Sequence, residues 1–120
     1  MSSYNYKDKK VEEKFIKYMT DAVREGIWSI GFIPDEGGIV HVFYDGSRRE
    51  DLSNELYRAV LANVMAKCSM DLNRRGEQRG KMQGTFCDNE LVVLVNVSEG
   101  KFDEDLLMRI GYLIEIRGMS

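Results

Sequence analysis

The longest unbroken apolar run in the chain is Leu91-Val92-Val93-Leu94-Val95. Five residues suit a β-strand and fall far short of the ~18 that a membrane-crossing helix needs. Side chains alternate along a strand, so a run without a polar position is apolar on both faces. The run therefore calls for a strand inside a sheet, covered on both sides, with helices available to cover it.

The rest of the chain supplies such elements. From Lys9 to Glu25, Val11, Phe15, Tyr18, Met19, Ala22 and Val23 recur at the spacing of one helical face, with Lys and Glu opposite. Asp8 is placed to cap this helix, and Gly26 stands where a left-handed residue would end it. The period then changes. Ile27–Ile33 and Ile39–Tyr44 are rich in β-branched and aromatic residues around the turn cluster Pro34-Asp35-Glu36-Gly37-Gly38, which reads as a hairpin.

Ser47-Arg48-Arg49-Glu50 has the spacing of a capping box, and the pattern predicts a long helix from about Arg48 to Leu72. One apolar stripe runs through Leu52, Leu56, Ala59, Val60 and Val64, and a second through Tyr57, Leu61, Met65, Cys68 and Leu72. Such a helix would span roughly 37 Å and overhang a domain of this size, which predicts a homo-oligomer. Lys81–Cys87 and Leu91–Val97 form a second hairpin around Asp88-Asn89-Glu90. A last helix is expected from Phe102 to Arg117, with Leu106, Ile110, Leu113 and Ile114 on one face and Gly118 at its end, although Tyr112–Ile116 also alternates like a strand. The expected fold is a single α+β domain over residues 1–120, an antiparallel sheet of two hairpins with three helices in the order α-β-β-α-β-β-α.

Composition narrows the function. With 43% hydrophobic residues, one proline and a net charge of −3, the chain reads as a folded domain rather than a disordered one. Met1–Lys10 has no apolar segment of the secretory type behind it, and two cysteines are too few for a disulfide framework, so a cytoplasmic setting is expected. Twenty acidic against 17 basic residues make a poor general polyanion binder, so extended nucleic acid and membrane are not expected partners. The distribution is uneven, however. Asn73-Arg74-Arg75-Gly76-Glu77-Gln78-Arg79-Gly80-Lys81 holds four cations and one anion, whereas Asp103-Glu104-Asp105 and Asp35-Glu36 gather negative charge.

No catalytic set, metal site or cofactor motif stands out. His41 is the only histidine and lies in a strand between Val40 and Val42, which suits a hydrogen-bonded sheet residue better than a base. Cys68 falls on an apolar stripe, and Cys87 adjoins a turn without a basic partner in sequence. The candidate ligand residues are Arg74, Arg75 and Arg79, whose guanidinium forks suit phosphate, and Phe86, Asn89 and Arg109. Each has a plain structural alternative. The arginine loop could simply be solvated at a helix end, Asn89 could serve a turn, Arg109 could cover the core with its stem, and Phe86 could be core.

In its size, mixed element order, expected oligomer, missing catalytic set and scattered arginines, including Arg74, Arg75 and Arg109 together with Asn89, the chain resembles the first family of phage Thoeris anti-defence proteins. That resemblance implies a non-enzymatic sponge in the host cytoplasm that holds a cyclic ADP-ribose isomer or a cyclic oligonucleotide at subunit interfaces without cleaving it. The alternative reading is an adaptor or inhibitor that meets a protein partner through exposed helix surface. A third, single-stranded nucleic acid bound by the basic loop and strand aromatics, would show steep salt dependence.

Overall fold

The computed structural model describes residues 5–112. Its elements are α1 (Lys9–Glu25), β1 (Ser29–Pro34), β2 (Val40–Tyr44), β3 (Ser47–Leu52), α2 (Asn54–Lys67), β4 (Gln78–Phe86), β5 (Asn89–Glu99) and β6 (Glu104–Tyr112). The six strands form one antiparallel sheet in the order β3-β2-β1-β6-β5-β4. Each half is a three-strand meander preceded by a helix, and the first strand of one half pairs with the last strand of the other. The class is α+β as expected, but the described residues hold two helices and six strands in the order α-β-β-β-α-β-β-β.

α1 has its expected bounds. Val11, Phe15, Tyr18, Met19 and Ala22 are buried, and Gly26 ends the helix at φ 68°, its amide donating to the Ala22 carbonyl. Asp8 does stand at the N-cap position, but its carboxylate accepts from the Asn5 amide at 2.9 Å and makes no bond to the helix.

The expected helix from Arg48 to Leu72 is two elements. Asp45 and Gly46 both take positive φ (49° and 85°), the requirement of a two-residue hairpin turn, and they fold Ser47–Leu52 back along β2 as an edge strand. Ser47 and Glu50 therefore form no capping box. Glu50 instead receives the Tyr18 hydroxyl at 2.6 Å and Lys14 at 3.0 Å, which ties β3 to α1. The true cap is Ser53, whose hydroxyl accepts from the Leu56 amide at 3.2 Å. α2 has 14 residues, about 21 Å at the usual rise, and its Tyr57, Ala59, Val60, Leu61, Val64 and Met65 are buried. No overhang remains, and the prediction of an oligomer from helix length falls with it.

The expected last helix is strand β6. Leu106, Met108 and Ile110 are buried in alternation, and the strand lies between β1 and β5 at the middle of the sheet. Leu106 and Ile110 share a face at period two as well as at 3.6, so their spacing is compatible with both readings. Leu113, Ile114, Arg117 and Gly118 lie outside the described residues.

Cross-strand register places every buried strand residue on one face, against both helices. Phe32 of β1 lies between Tyr18 of α1, ring centres 5.2 Å apart at 79°, and Tyr57 of α2, 6.0 Å apart and stacked at 26°. The Tyr57 hydroxyl donates to the Glu104 carbonyl at 2.6 Å. Among the described residues, nothing packs on the other face. The apolar run Leu91–Val95 sits inside the sheet, one strand from its β4 edge, but it is covered on one side only: Leu91, Val93 and Val95 are buried, Val92 is half-buried, and Leu94 is 52% exposed.

Candidate ligand site on the open sheet face

On the open face the register sets side chains in rows. One row runs Lys81, Leu94, Arg109, Ser29, and the next runs Arg79, Asn96, Leu107, Gly31, Phe43, Arg48. Between them Arg79, Gly80, Leu94, Asn96, Leu107 and Arg109 line a cavity of about 340 Å³. Two cations thus stand on opposite sides of an apolar floor, a layout that suits a ligand with a flat apolar part and a charged part. Arg79 reaches only Glu77, at 3.4 Å with both side chains largely exposed, and no described residue forms an ion pair with Arg109. The Asn96 Oδ1 is sealed from solvent and accepts no hydrogen bond among the described residues, an arrangement that disfavours leaving it without a donor.

Of the six candidates, Arg79 and Arg109 come together here, two residues 30 positions apart joined by the β4-β5-β6 register. The others do not join them. The Arg74 guanidinium donates to the Glu77 carbonyl at 3.3 Å, within its own loop. Arg75 pairs with Asp103 at 3.0 Å and Glu104 at 3.4 Å, and Arg58 joins the same carboxylates. Glu104 is buried, and the Gly76 amide donates to its other oxygen at 3.2 Å. The basic loop and the acidic cluster are thus partners, and Asp103–Asp105 do not begin a helix. Phe86 lies on the helix side, edge-on to Phe15 with ring centres 5.9 Å apart. Asn89 opens β5 and donates to the Cys87 carbonyl at 2.8 Å, while Cys87 and Asp88 (φ 50° and 63°) form the turn itself.

The residue missed from sequence is Phe43, the aromatic on the same face as Arg79 and Arg109. Gly31 separates it from Leu107 in the row, and the Leu107 side chain leans over that glycine, its Cδ1 3.9 Å from where a Cβ would stand. Alternation from His41 through Phe43 was the available signal. The exposed ring of Trp28 belongs elsewhere, edge-on to Tyr112 at 5.5 Å.

His41 is fully engaged. Nδ1 lies 2.8 Å from Asp51 and Nε2 lies 2.9 Å from Asp35, and Arg48 closes on Asp51 with two bonds of 3.1 and 2.7 Å. The Arg48 guanidinium, then His41, holds the Asp51 carboxyl down at about 2. Desolvation pulls Asp35 upward, but the Ile39 and Gly37 amides and His41 outweigh it and keep the carboxyl below the ordinary range. The sign follows: depressed carboxyls contribute stability that is complete above their unfolded values, near 4, and lost as pH falls through the folded ones. Melting temperatures of the native protein and of Arg48→Ala should therefore differ above pH 4 and converge toward pH 2. The gap should be small because the pair is exposed, and a gap that widened on acidification would contradict this assignment.

Cys68 is half-buried at the end of α2, where burial pushes its thiol up, away from the reactive form. Among the described residues no three His, Cys, Asp or Glu side chains are grouped to hold a metal ion, and no helix is long and apolar enough to cross a membrane. Neither any family model nor any curated protein matches the chain.

Proposed function

We propose that the chain is a non-enzymatic binding protein that sequesters a small phosphorylated nucleotide-type ligand, of the kind of a cyclic ADP-ribose isomer or a cyclic oligonucleotide, on the open sheet face. The observation that carries this reading is the pair Arg79 and Arg109, two guanidinium groups without a strong carboxylate partner among the described residues, set across the Leu94–Leu107 floor. The arginines would take phosphate through paired hydrogen bonds. Leu94 and Leu107 would pack against the base or sugar.

The test is thermal unfolding with a panel of cyclic ADP-ribose isomers and cyclic dinucleotides, with inorganic phosphate as control. A binder present at a hundredfold excess over its Kd should raise Tm by roughly 10 °C for a domain of this size. No shift across the panel at millimolar ligand would remove the proposal. Ligand released by heating must come back chemically unchanged; recovered product would mean an enzyme.

A protein-binding role is favoured by a different observation. The apolar helix stripes lie in the core, whereas Ile33 and Leu94 are exposed on the sheet, so an adaptor would use the sheet face and not the helices. Capture of a protein partner that survives Arg79→Ala and Arg109→Ala, but not Leu94→Asp, would select that reading.

A further inference from the structure

The two edges of the sheet are built differently. β3 is guarded in the ways that keep edge strands from pairing: it has six residues, four of them charged in succession (Arg48, Arg49, Glu50, Asp51), and a register shift where it meets β2 at Val42 and Phe43. Its side chains are also tied down, Arg49 to Glu25 by bonds of 2.7 and 2.9 Å and Glu50 to Lys14 and Tyr18. β4 is less guarded, with Arg79 and Lys81 as its two charges, both in its first half. It runs nine residues in unbroken register with β5, and from Met82 to Phe86 it carries no charge. No other described backbone segment hydrogen-bonds to its outer side. Along the same edge, on the helix side, Phe15, Ile16, Met82, Phe86 and Val93 line a mainly apolar groove of about 360 Å³, with Ile16 44% exposed.

We infer that β4 pairs antiparallel with β4 of a second copy of this chain, about a two-fold axis at Met82, joining two six-strand sheets into one of twelve. A second copy presents the same uncharged stretch from Met82 to Phe86, and charge together with strand length selects the register. Residues opposed across an antiparallel pair share a face, so the two position numbers must sum to an even value. A sum of 158 sets Arg79 against Arg79, 160 sets Arg79 against Lys81, and 162 sets Lys81 against Lys81, each with like charges opposed. At 164 those conflicts vanish and all nine residues of β4 are paired, whereas the larger even sums are equally free of them but leave part of the strand unpaired. Lys81 faces Gln83 of the second copy, Gly80 faces Gly84, and the two Met82 side chains meet over the axis beside the apolar groove. The axis is perpendicular to the sheet, so both helix layers lie on one side and both arginine sites stay on the other. This inference does not depend on the ligand reading.

The decisive position is Gln83, exposed on the open face and outside the arginine cavity. Sedimentation equilibrium of the full chain should show a monomer–dimer equilibrium. Gln83→Lys would oppose Lys81 twice across the axis and weaken the dimer, and Gln83→Glu would pair with Lys81 twice and tighten it. The shift in dissociation constant should lie between roughly twofold and thirtyfold in each direction. Lys81→Glu combined with Gln83→Lys restores opposite charges and should recover the native dimer, a result that general surface charge would not give. Circular dichroism of each variant checks that the fold is kept. A monomer at every concentration, or a dimer indifferent to the sign of charge at Gln83, overturns the inference.

Discussion

The double substitution Arg79→Ala with Arg109→Ala should weaken binding of the phosphorylated ligand by roughly 100-fold to 10,000-fold while leaving the unliganded fold intact. Each charge-assisted hydrogen-bond set to a phosphate is worth about 1.5–3 kcal/mol, and two of them give that range. Stability should change by no more than about 0.5 kcal/mol. Both side chains are exposed, Arg109 has no ion-pair partner among the described residues, and Arg79 has only a loose one. Arg75→Ala gives the opposite pattern. It removes bonds to Asp103 and to the buried Glu104, so it should cost stability, about 1 kcal/mol or less given the exposure of Arg75 itself, and leave ligand affinity unchanged. Titration calorimetry beside thermal unfolding reads both quantities. Equal affinity losses for Arg75→Ala and the Arg79/Arg109 pair would return the site to the α2–β4 loop.

That contrast also marks how far the site was legible in the sequence. Arg74, Arg75 and Arg79 look alike as residues in one basic segment. What separates them is where carboxylates arrive from far along the chain: Asp103 and Glu104 reach Arg75, and none of that cluster reaches Arg79. Sequence patterning carries no information about such a meeting until the strand order is known. Arg109 was placed beside the apolar face of a helix, and its strand assignment turns it to the opposite face from Met108 and Ile110.

The fold errors have equally local causes. In Tyr44-Asp45-Gly46-Ser47 the dipeptide Asp-Gly is a strong short hairpin signal, because both of its residues tolerate positive φ. The competing capping-box spacing of Ser47 and Glu50 drew the boundary of the next helix six residues early. β6 is hard to read because a residue pair four apart fits both a helix and a strand, and only Met108 between Leu106 and Ile110 settles the alternation. α1, the first hairpin and the position of β5 inside the sheet were readable because each rests on one unambiguous period bounded by turn residues. The two-faced apolar pattern of Leu91–Val95 was real, and what it marked was an uncovered face. An apolar pattern reports which side chains disfavour water, while the element that would cover them is a property of the whole topology.

Whether that face is open in solution can be decided by pairing two truncations. Phe32→Ala should destabilise the protein by about 3–5 kcal/mol, a large part of the 5–15 kcal/mol that holds a typical domain together. Phe32 is fully buried in a central strand, and its ring is the shared contact between Tyr18 of α1 and Tyr57 of α2, so its loss opens a cavity where both helices meet the sheet. Phe32→Leu keeps much of the volume and should cost clearly less. Leu94→Ala removes a side chain of similar apolar character from the other face of the same sheet, where about half of it already meets water, and should cost no more than about 0.5 kcal/mol. Denaturant midpoints at matched protein concentration give all three values. A Leu94 cost approaching that of Phe32 would mean that the open face is covered in solution, and the arginine cavity would then belong to an interface instead of a free site.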